Sequence, residues 1–263
     1  MKVGFIGLGN MAGAMIGGLL KGKINKKDVL GFDVNEKLAA DRAKEYGITI
    51  TQDNKTLVEK ADYIVIAVKP QFVTPVLQEI NDSLSSKKVV ISIVAGKTLE
   101  YLMTYITKTE KIVRCMPNTA ALVGAAITAV TPTDKVSKTE LKNALGIIES
   151  FGKADIVSEK LMDAVTGVSG SAPAYVFMFI EAMADAAVLE GMPRSQAYEF
   201  ASNAVYGSAK LMIETGKHPG ELKDMVCSPM GTTIQAVKVL EENNFRGTVM
   251  DAVIAASERS KQL

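Results

Sequence analysis

Tryptophan is missing from the 263 residues, histidine occurs once and cysteine twice. The lone His218 leaves no Cys–His or Ser–His pair for nucleophilic catalysis, and Cys115 and Cys227 show neither CxxC spacing nor a neighbouring histidine. Zinc or another metal site and a disulfide scaffold are therefore not expected. A surplus of either charge is lacking too: 30 Lys and Arg against 29 Asp and Glu leave a formal +1. No positive field holds a polyanion, so no nucleic-acid partner is expected. No run reaches the ~18 uninterrupted apolar residues of a membrane-crossing helix, and strand-like sequence from Lys2 leaves no room for a secretory leader. The expectation is a cytoplasmic protein without a membrane partner. What is plentiful is apolar sequence, 48% against 22% charged, enough for one large core or two ordinary ones. Disorder is excluded as the main state.

Residues 2–6 (KVGFI) form a β-type run that stops at Gly7-Leu8-Gly9, and residues 10–20 carry helical patterning with a stripe of small side chains. A second strand over 29–33 leads into a charged amphipathic helix over 36–46 that ends at Gly47. Apolar β-rich runs recur at 63–68, 88–94 and 111–116, separated by helical stretches such as 74–84 and 98–106. This alternation predicts an α/β fold, a Rossmann-type doubly wound and mostly parallel sheet with helices on both faces. After residue 157 the β-branched runs nearly vanish, and breaks at 167–173, 191–193, 216–220, 228–231 and 243–244 divide an all-α remainder into roughly five helices. The expected organisation is a dinucleotide-binding domain at 1–157 and a helical domain at 158–263. Residues 175–189 are apolar on nearly every face apart from Glu181 and Asp185. Such a helix needs burial on all sides, either at the centre of its own domain or, as expected here, under a second copy of the chain.

Gly7-Leu8-Gly9-Asn10-Met11-Ala12 is a G-x-G-x-x-A sequence directly after a strand and before a helix. Gly7 permits the tight turn, Gly9 has no Cβ to block a pyrophosphate, Ala12 allows close helix packing, and helix-start N–H groups face the phosphates. Asp33 ends the second strand, where the fold expects an acid for the adenosine ribose; it leans towards NAD over NADP, or else it caps the following helix. Asn35, Lys37 and Arg42 lie nearby. Ala67-Val68-Lys69-Pro70 and Ala95-Gly96 fall at carboxyl edges of the sheet, where ligands collect. Lys69 either holds a phosphate or the nicotinamide half, or is a surface lysine before a proline. Met116-Pro117-Asn118-Thr119 ends a third edge.

In the helical half, Cys227-Ser228-Pro229-Met230-Gly231-Thr232-Thr233-Ile234 opens an amphipathic helix. Its first turn offers unpaired backbone N–H groups and two hydroxyls without a nearby acid, a neutral cradle for a small carboxylate or simply an N-cap. Taken with Asn10-Met11-Ala12, the Ala67 to Pro70 edge and the DAVTGVSGS and PAY segments at 163–171 and 173–175, the whole chain resembles the pyrroline-5-carboxylate reductase family. The helical motifs are specific, because other Rossmann dehydrogenases share only the glycine turn.

The resemblance implies hydride transfer from NADPH or NADH to the C=N bond of 1-pyrroline-5-carboxylate, giving L-proline in the last step of proline biosynthesis. It implies a helical domain that interlocks into a homodimer, often built into larger rings. It also implies coenzyme contacts at Gly7, Leu8, Gly9, Asn10, Met11, Ala12, Asn54, Ala67, Val68, Lys69, Pro70, Ala95 and Gly96. The substrate loop would comprise Ser228, Met230, Gly231, Thr232 and Thr233, with the Thr233 hydroxyl near the imine nitrogen and Glu159 lining the same pocket. Three positions depart from the family pattern: Met230 stands where a second glycine is usual, Ala120 where proline is common, and Asp33 where many relatives carry a residue suited to a 2′-phosphate.

A protonated cyclic imine is already electrophilic, so orientation supplies much of the catalysis and few titratable groups are needed. His218 sits in a turn, and Cys227 has no assignable base, so it is taken as a structural thiol. Reduction of a related cyclic imine is an alternative with the same machinery. A β-hydroxyacid dehydrogenase would need a base, usually a lysine on the first long interdomain helix, and residues 175–189 contain none. A coenzyme-binding regulatory protein is the non-catalytic alternative.

Overall fold

A computed structural model describes residues 1–22 and 24–262. The elements follow in the order β1 (Val3–Ile6), α1 (Asn10–Lys21), β2 (Val29–Phe32), α2 (Glu36–Tyr46), β3 (Thr49–Ile50), α3 (Asn54–Lys60), β4 (Tyr63–Ile66), α4 (Val73–Ile80), β5 (Val89–Ser92), α5 (Leu99–Tyr105), β6 (Ile112–Met116), β7 (Ala126–Pro132), α6 (Lys138–Ile148) and β8 (Gly152–Ile156). Helices α7 (Met162–Val165), α8 (Ala172–Leu189), α9 (Arg194–Thr215), α10 (Pro219–Val226), α11 (Thr232–Glu242) and α12 (Phe245–Ser260) complete the chain. The eight strands form one sheet in the order β3-β2-β1-β4-β5-β6-β7-β8. Every pairing is parallel except β6 with β7.

Strands β1, β4 and β5 are buried at every position, which explains why they read as unbroken apolar runs rather than alternating ones. Two cores cover the faces of the sheet. One gathers Phe5, Met15, Ile16 and Phe151 beneath α1 and α6, and the other gathers Ile6, Leu57, Leu77 and Leu102 beneath α3, α4 and α5. The chain runs outward from β1 to β2 and β3, then returns past β1 to β4. Where the direction of winding reverses, the connections after β1 and β4 lead to α1 and α4 on opposite faces of the sheet and leave a crevice.

Packing divides the chain into Met1–Ser171 with Ala255–Leu263, and Ala172–Ile254. The composition turns helical at residue 157, but the short helical turns that follow remain with the sheet. Arg114 Nη1 donates to Glu159 Oε1 at 2.7 Å, and Gly170 lies against the Met116 side chain. The chain re-enters this unit near its end, where the buried Ser260 donates through Oγ to Asp163 Oδ1 at 2.7 Å. Between α7 and α8, residues Thr166–Gly170 form a π-turn, so the sequence break expected at 167–173 is a widened helical turn.

The second unit holds the five main helices expected from the breaks, α8 to α12, of which α12 runs on into the first unit. Its own core is small: Ala184, Ala197 and Ala201, flanked by Ile180, Met183 and Val188. Within α8 only Ala184 is buried, and Phe177, Met178 and Leu189 stand 65%, 70% and 87% exposed. The single chain therefore does not enclose α8. By length and composition alone, Glu159–Leu189 would suffice to cross a membrane, although the sequence has no eighteen-residue uninterrupted apolar run.

Candidate active site

The crevice between β1 and β4 is a cleft of about 670 Å³. Gly7 and Gly9 line it from the turn after β1, Ala67, Val68 and Lys69 from the end of β4, Asp33 from the end of β2, and Asn54 from the start of α3. All seven are among the coenzyme contacts expected from the sequence, and they line one cleft. Gly7 adopts φ +90°, and a Cβ there would sit 2.8 Å from the Ala67 carbonyl oxygen. The turn thus presses β1 against β4 as only glycine allows. Gly9 is different: its φ is −62°, and a Cβ would meet nothing within 4 Å. The space above it is open for a ligand.

No side chain caps α1, its first turn has no acid, and the first N–H to bond back is that of Gly13, to Gly9 O at 2.9 Å. The N–H groups of Asn10, Met11 and Ala12 are thereby left for an anion, at the favourable end of the helix dipole. Not every residue of the motif faces the cleft with its side chain. Leu8 and Ala12 are buried in the core, Asn10 lines a separate hollow along α1, and Met11 packs on the core. Pro70 opens a 3-10 turn, while Ala95 and Gly96 follow β5 outside the cleft lining.

Asp33 fastens the turn. Its Oδ2 accepts Leu8 N–H at 2.7 Å and its Oδ1 accepts Asn35 N–H at 2.9 Å. The cap of α2 is Asn35, whose side chain accepts from Leu38 N, so Asp33 holds the loop before the helix and leaves the capping to its neighbour. Arg42 Nε donates to Leu8 O at 3.2 Å from the other side. Lys69 is exposed at the rim, with no carboxylate paired to it among the described residues. Sequence reasoning missed the far wall of the cleft, Phe72, Pro75, Val76 and Glu79. The signal was present in the amphipathic stretch directly after the Lys69-Pro70 edge, whose apolar face buries Val73, Leu77 and Ile80.

In the second unit, the turn Ser228 to Gly231 leads into α11. Gly231 is the N-cap, no side chain caps the helix, and the first turn contains no acid. Thr232 is exposed and Thr233 half-buried at the first two helical positions. The start of α11 is thus uncapped and free of acidic side chains. Met230 has φ +61° and is 96% exposed, a left-handed conformation that glycine adopts without strain. Met230→Gly is expected to stabilise the chain by about 0.5–1 kcal/mol in chemical denaturation, because the left-handed strain goes while no packing is lost.

Four other residues find structural employment. His218 caps α10, its Nδ1 accepting Gly220 N–H at 3.1 Å. Cys227 is the half-buried end of α10, and Cys115 is wholly buried in β6, where desolvation pushes its thiol far above the ordinary range. Glu159 accepts both Arg114 Nη1 and Leu99 N–H through Oε1, each at 2.7 Å, and so ties β6 to the start of α5. No group of three or more metal-ligating side chains occurs among the described residues.

Open backbone amides over the reversal point of a parallel sheet are the means by which nicotinamide dinucleotides are held. The fold and cleft therefore define the class of dinucleotide-dependent oxidoreductases. Residues 2–96 match the family model described as NADP oxidoreductase coenzyme F420-dependent, and residues 159–263 match the one described as pyrroline-5-carboxylate reductase dimerisation. A pyrroline-5-carboxylate reductase of Escherichia coli is 49% identical over the whole of this chain and 98% of its own. The solved reductase of Coxiella burnetii superposes with a TM-score of 0.93 at 34% identity, covering 99% of this chain and 97% of that one. The Plasmodium falciparum enzyme, solved with NADP bound, gives 0.90 at 34% identity over 100% and 97%. The chain belongs to the pyrroline-5-carboxylate reductase family.

Proposed function

We propose that this chain reduces the C=N bond of 1-pyrroline-5-carboxylate to L-proline, the last step of proline biosynthesis, with NADPH, or NADH in its place, as coenzyme. The observation that carries the reading is the start of α11, which offers hydroxyls and unpaired amides with no acid or base among them. A ready-made iminium needs to be held rather than activated. Residues 1–157 form the coenzyme half and 158–263 the substrate and dimerisation half, in keeping with the two family models. The exposed apolar side chains of α8 are covered by a second copy, making a homodimer that works in the cytoplasm.

The cleft fits the coenzyme. The amides of Asn10 to Ala12 bind its pyrophosphate, Gly9 leaves room for close approach, Asp33 and Asn54 stand beside the adenosine, and Lys69 contributes positive charge at the rim. When bound, the reduced nicotinamide supplies the hydride that the imine carbon accepts. The N–H groups at the start of α11 hold the substrate carboxylate, with Ser228, Met230 and Gly231 shaping the approach and Thr232 beside it. The Thr233 hydroxyl accepts a hydrogen bond from the iminium N–H and so selects the ring face presented. No proton needs to be removed by the protein, which agrees with the absence of a lysine in α8.

Oxidation of NADPH or NADH on adding pyrroline-5-carboxylate tests the assignment directly. Turnover of a hydroxyacid with the oxidised coenzyme, and none with the imine, would overturn it. Thr233→Ala is expected to lower kcat/KM about 10–100-fold, the loss of one hydrogen bond to a charged group; a variant at wild-type kcat/KM removes Thr233 from the mechanism.

A further inference from the structure

Asn54 opens α3 and is only 4% exposed, yet half of its carboxamide is unsatisfied. Its Nδ2 donates to Glu79 Oε2 at 2.8 Å, while its Oδ1 is buried and has no partner among the described residues. The orientation of this amide is not arbitrary. A carboxylate only accepts, so the nitrogen must face Glu79 and the carbonyl must face away from it. Buried acceptors in native proteins are almost always hydrogen-bonded, and both Asn54 and Glu79 line the cleft. An acceptor held in this way calls for a donor arriving from outside the chain.

The phosphates of a dinucleotide carry no donor, and the negative charge of Glu79 repels them. The adenosine half does carry donors, its ribose hydroxyls and its exocyclic amine. Asp33, Val34 and Asn35 at the end of β2 complete this side of the cleft, the end where the fold places an adenosine. We propose that Glu79 is a positioning residue for the coenzyme: it locks the Asn54 carboxamide so that Oδ1 accepts a hydrogen bond from the adenosine half. The proposal rests on the dinucleotide reading of the cleft, and it does not depend on the imine as substrate.

Glu79→Gln keeps the shape but adds a donor, so both amides can turn over and Asn54 can present its NH2 to the ligand. Titration calorimetry on the full chain with ADP, which keeps both ribose hydroxyls, and with reduced nicotinamide mononucleotide separates the two halves of the coenzyme. Glu79→Gln should weaken ADP about 5–10-fold, the worth of one hydrogen bond, and leave the mononucleotide unchanged. In an Asn54→Ala background, or Asn54→Ser if alanine unfolds the chain, the same change should add less than about twofold. An equal effect in both backgrounds, equal weakening of both halves, or wild-type binding by Glu79→Gln each overturns the positioning role. If the unaltered chain binds no adenine nucleotide, the coenzyme reading falls with it. Binding with the expected pattern but no imine reduction overturns only the reductase assignment.

Discussion

Gly9→Ala is expected to fold with an unchanged thermal midpoint and to bind NADPH at least about tenfold more weakly, whereas Gly7→Ala is expected to lose about 2–4 kcal/mol of stability and coenzyme affinity with it. The two glycines stand two residues apart, and their roles are separable by what a methyl group would meet. At Gly9 the backbone is extended, with φ −62° and ψ −172°, and the methyl points into open space. Nothing in the protein resists it, so the cost appears only when a pyrophosphate tries to occupy the same volume. At Gly7, φ is +90° and the methyl would stand 2.8 Å from Ala67 O and 2.9 Å from Ala67 C. Those atoms end β4, which is hydrogen-bonded to β1 along its length; neither strand can move without opening the centre of the sheet. Thermal melts and coenzyme titrations on both variants check the contrast. Gly9→Ala with wild-type affinity would mean that the phosphates do not approach this turn.

The second large effect concerns Glu159. Glu159→Ala is expected to lower stability by about 3 kcal/mol in chemical denaturation, because Arg114, whose side chain is only 9% exposed, is left as a buried unpaired cation. The Leu99 N–H at the start of α5 loses its acceptor at the same time. Replacing both charges by leucine should recover much of the loss, since the penalty comes from the orphaned partner more than from the pair. The measurement also decides between two uses of the residue. A Glu159→Gln variant that is destabilised yet keeps its KM for the imine supports the tie between β6 and α5; an imine KM raised at wild-type stability supports the pocket-lining role implied by family resemblance.

The coenzyme half was the more legible part of the sequence, for a physical reason. Fully buried parallel strands must be apolar throughout, and the turn beside a pyrophosphate must lack side chains, so β1, β4, β5 and the Gly7-to-Ala12 motif announce themselves. Strand β3 was passed over because Thr49–Ile50 is two residues long, and α3 because its seven residues are too short to display a period. Strands β7 and β8 were missed because β7 reverses direction and β8 is largely exposed, so neither fits the alternation that revealed the rest. The Asn54–Glu79 pair could not be read at all, since its partners are brought together only by the packing of α3 against α4. In the helical half the breaks after α8, α9, α10 and α11 were legible because Gly, Pro and Asn end helices for local reasons, whereas the one expected at 167–173 is a widened helical turn. The contacts of Glu159 were hidden, because a lone acid in a sequence does not declare whether it faces a ligand or an arginine.

The excursion of the chain out of its first unit at Ser171 and back at Ala255 matters to anyone wishing to express the coenzyme half alone. A gene stopped at codon 157 would omit Glu159, the π-turn and the returning tail whose Ser260 holds Asp163. The whole unit comprises residues 1–171 together with 255–263. In chain order the second unit interrupts the first, and a deletion must respect both of its seams.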